Sequence, residues 1–173
     1  MLYYAYGSNL NMEQMLKRCP KAEPIKRLKI EDFKLVFRGV ADIEQCPGST
    51  LDGALWEITK ECEDALDIYE GVDFYLYSKE YFDYHGEEVL TYTMNEKGIL
   101  PPNDYYFHVI KQGFKDFGIP FDTLDAAIQE SWQYKQPTHY LRKRRYNDQK
   151  MGRKRYRGLL GEPALEKKVA NSK

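Results

Sequence analysis

The sequence predicts one α+β domain over residues 1–140 and a basic C-terminal tail over 141–173, and three observations carry that reading. Short aromatic and β-branched runs alternate with amphipathic helical segments. Clusters of Gly, Pro, Asn and Ser punctuate them at the spacing of turns. After His139 the apolar periodicity stops and RKRRYNDQKMGRKRYRG begins.

Along the chain, LYYAY reads as a strand, because aromatics and small apolar residues suit a pleated, buried surface. It breaks at Tyr6-Gly7-Ser8-Asn9, and a helix of about two turns over 12–18 follows, with Asn9 or Asn11 as its N-cap and Pro20 as its stop. DFKLVFRG alternates as a second strand. IEQCPGST reads as turn, and LDGALWEIT as a third strand. KECEDALDIYE then has Thr59 as N-cap, acids in its first turns, Ala65, Leu66 and Tyr69 on one face, and Gly71 as C-terminal stop. From Phe74 the chain reads as a hairpin around His85-Gly86-Glu87. Beyond Pro101-Pro102, two helices are expected, separated by Gly118 and Pro120.

A chain of 173 residues with 42% hydrophobic and 14% aromatic residues can bury a core without covalent staples. The formal charge of −1 conceals an asymmetry: residues 142–173 hold 12 Lys/Arg against 3 Asp/Glu, and residues 1–141 hold 14 against 24. Within 142–157, nine basic residues are interleaved with Tyr146 and Tyr156. The pattern suits a polyanion such as a nucleic acid, held by phosphate contacts and stacking, or else a solvated, flexible terminus that neutralises the acidic body of a homodimer. Cys19, Cys46 and Cys62 form neither a CxxC pair nor an even framework, so a reduced, cytoplasmic protein is expected. No signal-peptide pattern and no run of membrane-spanning length is visible, so no membrane partner is expected.

Few residues could carry chemistry. His85, His108 and His139 lack the spacing of metal ligands, and neither metal nor cofactor is expected. Ser8 lacks the second glycine of a nucleophile elbow. The YGSN break is either a plain turn with an N-cap or an anion site in which Gly7 admits a ligand to free amides at a helix start. Glu70 stands at a helix C-terminus, where carboxylates are disfavoured, among Ile68, Tyr69, Val72, Phe74 and Tyr75. Both influences raise a carboxyl pKa toward the range of a general acid–base, while a solvated Glu beside a C-cap glycine fits the same residues.

Three stretches resemble one family. YAYGSNL followed by RCPKA, LDIYEG followed by a tyrosine-rich strand, and PPNDYYFHVIKQGFKDFGIP are together similar to the γ-glutamylcyclotransferase-like, or AIG2-like, family, in the same order over roughly residues 1–135. The resemblance implies a small mixed β-barrel surrounded by helices, closed or nearly closed, with a pocket at one end. It implies that Tyr6, Gly7, Ser8, Asn9 and Leu10 bind the glutamyl part of a small γ-glutamyl substrate. It makes Glu70 the catalytic acid–base, and places Tyr77 and Tyr106 in the pocket, with Tyr75 and Tyr105 as competitors for those roles. The implied reaction releases 5-oxoproline from a γ-glutamyl amino acid or amine by attack of the substrate's own α-amine. A non-catalytic small-ligand binder on the same fold, or a polyanion-binding module working through the tail, are the alternatives.

Overall fold

The computed structural model describes residues 1–134; the tail reading, the polyanion contact over 142–157 and His139 lie outside them. Five strands form one sheet in the order β2-β3-β1-β5-β4. Strand β1 (Leu2–Ala5) is its centre, antiparallel to β3 (Ala41–Glu57) and parallel to β5 (Glu87–Met94). Strand β2 (Glu23–Phe37) pairs along β3 in a long hairpin, and β4 (Tyr77–Tyr84) pairs with β5 in a second. His85 and Gly86 both have positive φ, +56° and +85°, as the tight turn of that second hairpin requires.

The first hairpin corrects the sequence reading. IEQCPGST, expected as turn, lies within β3, and the second strand begins at Glu23, well before DFKLVFRG. The turn signals mark an irregularity inside the ladder. Glu31 faces Thr50 while Phe33 faces Gln45, so residues 46–49 oppose Asp32 alone. Asp32 and Gly48 take positive φ there, +63° and +81°, and the Gly48 amide donates to the Asp32 carboxylate at 2.8 Å.

The sheet curls without closing. Its edges, β2 and β4, approach until the Lys26 ammonium lies 5.1 Å from the centre of the Tyr84 ring, yet no ladder joins them among the described residues. The expected barrel is therefore an open, curled sheet. Tyr4 stands edge-on to Phe82, and an open cavity of about 530 Å³ lies between Ile30, Phe33, Ile43, Phe82 and Thr91.

Helices pack against the sheet. Helix α1 (Met12–Arg18) starts at Asn11, whose side chain accepts from the Gln14 amide at 2.9 Å. Helix α2 (Lys60–Glu70) is capped by Thr59 and ended by Gly71 at φ +69°. Helix α3 (Asp104–Asp116), capped by Asn103, and α4 (Asp122–Gln133) complete the fold. The core between layers is aromatic, with Tyr3, Trp56, Tyr92, Phe37 and Phe114 all buried. Among the described residues, no helix is long and apolar enough to cross a membrane.

Candidate active site

The site forms where β1 ends and α2 ends. Leaving the sheet at Ala5, the chain turns through Tyr6 and Gly7 into a single 3-10 turn, Ser8–Leu10. The first bond of that turn runs from the Leu10 amide to the Gly7 carbonyl, at 3.0 Å. The Ser8 and Asn9 amides precede it and have no acceptor within the turn, as at any helix start. Gly7 has an ordinary negative φ of −114°, so its reason is space. A Cβ there would lie 3.1 Å from Ala41 Cβ and 3.5 Å from the Tyr106 hydroxyl.

Glu70, the last residue of α2, meets this turn. Asn9 Nδ2 donates to Glu70 Oε1 at 3.0 Å and to the Tyr3 hydroxyl at 2.8 Å. Burial pushes the Glu70 carboxyl up to about 7, against the opposing pull of the Arg18 charge and of the Asn9 hydrogen bond. Tyr3, Tyr6, Tyr69, Tyr77, Tyr92 and Tyr106 all feel the Glu70 charge, and burial raises the pKa of each. The walls around the carboxylate are therefore neutral phenols that donate or accept hydrogen bonds.

Two of those phenols are fixed by one residue at the start of β3. The Ala41 amide donates to the Tyr106 hydroxyl at 3.1 Å, and the Tyr77 hydroxyl donates to the Ala41 carbonyl at 2.8 Å. Tyr6 is anchored by donating to the Tyr92 carbonyl, and Tyr92 in turn donates to Asp67 at 2.8 Å. The competitors point elsewhere: Tyr75 is 80% exposed and Tyr105 51%.

Of the residues singled out from sequence, Tyr6, Ser8, Asn9, Glu70, Tyr77 and Tyr106 converge with Gly7 on this one place. Leu10 does not share it through its side chain. That side chain is fully buried, and its Cβ packs against α3 at Gly113. The sequence reading assigned no role to Arg18, Tyr3, Tyr69 or Tyr92. Arg18 donates to Asn9 Oδ1 at 2.7 Å and to the Tyr69 hydroxyl at 2.8 Å, and its guanidinium lies 3.8 Å from the centre of the Tyr69 ring. Ser8 Oγ lies 3.1 Å from the same hydroxyl. A signal for Arg18 existed, since it opens the RCPKA stretch, but nothing local joins it to Glu70, which is distant in the chain. Among the described residues, no group of three or more His, Cys, Asp and Glu could hold a metal ion.

Comparison with known proteins agrees with this architecture. Residues 3–109 match the family model for gamma-glutamyl cyclotransferase, AIG2-like. The gamma-glutamylcyclotransferase of Homo sapiens is 31% identical over 159 residues, covering 82% of either chain. That of Bos taurus is 32% identical over 138 residues, covering 70% of this chain and 73% of its own. A solved structure of a gamma-glutamyl cyclotransferase superposes with a TM-score of 0.63 at 29% identity, covering 73% of this chain and 85% of that one. The chain thus belongs to the gamma-glutamyl cyclotransferase, AIG2-like family.

Proposed function

We propose that the protein is a γ-glutamylcyclotransferase that releases 5-oxoproline and a free amine from a γ-glutamyl amino acid or amine. The observation that carries the reading is Glu70: a carboxyl poised at about 7, bonded to Asn9 beside the open amides of the YGSN turn. A γ-glutamyl compound brings its own nucleophile, its α-amine. Attack on the γ-carbonyl forms the lactam C–N bond and breaks the bond to the leaving amine. The protein has to hold a folded near-attack conformer and move one proton from the attacking nitrogen to the departing one. A carboxylate half ionised near neutrality accepts the first proton and returns it to the second.

In this reading the Ser8 and Asn9 amides receive the substrate's α-carboxylate or the oxyanion at the γ-carbon. Gly7 leaves room for that approach, and Tyr6, Tyr77 and Tyr106 line the pocket with fixed hydroxyls. Leu10 supports the turn from beneath. The catalytic unit is assigned to residues 1–140, so deletion of 142–173 leaves turnover intact. The basic run 142–157 is assigned to a polyanion or to a second copy of the chain, either of which is released by salt. Three unpaired thiols suit a reducing compartment such as the cytoplasm.

The test is a product screen. Purified protein and its Glu70→Gln variant are incubated with γ-glutamyl amino acids, γ-glutamyl-ε-lysine and glutathione, and 5-oxoproline is measured by mass spectrometry. Product from the wild type and none from the variant is expected. A variant as active as the wild type would remove Glu70 from the mechanism. Silence from a folded wild type across the panel would favour the binding-only reading.

A further inference from the structure

Asn9 can present its amide in either of two orientations, and only one places an N–H on Glu70. The Arg18 guanidinium, a pure donor, lies 2.7 Å from the amide oxygen and therefore fixes which end faces it. The amide nitrogen is then left to serve Tyr3 and Glu70. Arg18 is itself held in plane by the Tyr69 ring beneath it, by the Tyr69 hydroxyl at 2.8 Å and by Gln14 Oε1 at 3.2 Å. We propose that Arg18 is the positioning residue of this site: by holding the Asn9 amide oxygen it directs the Asn9 N–H donor onto Glu70.

The elements packed around Glu70 bring no competing charge to it. Strand β1 offers Tyr3, the residue after it Tyr6, and the 3-10 turn only the neutral Asn9. Helix α2 offers Tyr69, β4 Tyr77, β5 Tyr92 and α3 Tyr106, all phenols whose ionisation burial suppresses. Asp67, one turn back on α2, is engaged by Lys79 at 2.7 Å and by the Tyr92 hydroxyl. Arg18 is the one cation among the described residues that acts on the Glu70 titration.

The inference rests on the reading of Glu70 as the proton shuttle, so its test has one readout independent of turnover. In the full chain, carboxyl-labelled glutamate is followed by carbon-13 NMR, and the Glu70 resonance is assigned by its loss in Glu70→Gln. Arg18→Met, which keeps bulk and removes charge and donors, is expected to raise the Glu70 midpoint by about one pH unit or more. The acidic limb of kcat/KM should move by the same interval, costing about tenfold below pH 6 and recovering at high pH. Arg18→Gln, which keeps a donor for Asn9, gives the same sign if the methionine variant does not fold. A midpoint that stays put in a folded Arg18 variant would overturn the proposal, leaving Arg18 as a strut between α1 and α2. A moved midpoint in a protein that makes no 5-oxoproline would uphold the link to Glu70 and fail the functional reading instead.

Discussion

At residue 70, burial and charge oppose one another, and burial prevails. A carboxyl with an ordinary value of 4.5 stands at about 7 because the aromatic walls desolvate it more than Arg18 and Asn9 compensate. This has a consequence for stability with a definite sign. Below 4.5 the group is protonated in folded and unfolded chains alike. Between 4.5 and 7 the unfolded chain releases its proton while the folded protein keeps it, so stability falls as pH rises through that window. The full difference is about 3 kcal/mol above pH 7. Glu70→Gln keeps an acceptor for Asn9 and has no proton to lose. Its Tm is expected to match the wild type near pH 4.5 and exceed it at pH 8; equal values at both would mean that Glu70 is not desolvated. Gly7 carries the complementary prediction. Gly7→Ala places a methyl against Ala41 and the Tyr106 hydroxyl, so kcat/KM should fall at least tenfold, with a loss of about 1–3 kcal/mol in urea unfolding. Both residues were legible in sequence, one from its helix end and apolar neighbours and one from the break it makes. The roles of Arg18 and Tyr69 were not, because the Arg18–Tyr69 contact and the Asn9–Glu70 bond join segments distant in the chain.

Helices and strands differ in how much of them the chain discloses. The span of α1, the cap at Thr59, the choice of Asn9 or Asn11 as the cap of α1, and the glycine stop of α2 depend on a side chain and a few nearby backbone groups, and sequence shows them. The β2–β3 hairpin is a long-range pairing. Pro47 and Gly48 read as a turn because a bulge needs the same residues as a turn, and only the partner strand decides between them. How α3 meets the 3-10 turn was equally hidden. Gly113 lies so close to that turn that a Cβ would come within 2.5 Å of Leu10 Cβ and 2.6 Å of the Asn11 amide nitrogen. Alanine favours helices over glycine by about 1 kcal/mol, yet here it would wedge α3 away from the loop that carries Ser8 and Asn9. Gly113→Ala should lose about 1–3 kcal/mol in urea unfolding and raise KM. The neighbouring Gln112→Ala, on the exposed face, should do neither. If Gly113→Ala is instead stabilised, the helix has room to shift, and the loop does not depend on its close approach.

Across the whole molecule, the curl of the sheet brings the start of β3 to the end of β5, and a buried ion pair fixes that junction. Arg38 Nε donates to Asp42 Oδ2 at 2.7 Å, and the other oxygen of Asp42 accepts the Met94 amide at 2.8 Å. Arg38 also reaches Glu44 at 2.8 Å, and both members of the Arg38–Asp42 pair are buried. Between them in sequence lies Ala41, whose amide and carbonyl hold Tyr106 and Tyr77. Composition gave no sign of this, since a charged residue followed by turn residues usually faces water. A buried pair adds little against an apolar replacement of both partners, but removing Arg38 leaves the buried Asp42 with only the Met94 amide and the more distant Lys97 ammonium at 4.0 Å, and breaking such a pair costs about 3–5 kcal/mol. Arg38→Met should therefore lower the unfolding free energy by that order. Because the pair frames Ala41, KM should rise in the fraction that stays folded, with the pH position of the Glu70 limb unchanged. That separates this site from Arg18, where the limb moves. A folded Arg38→Met protein with wild-type KM would mean that the two tyrosines hold Ala41 in place without help from the ion pair beside it.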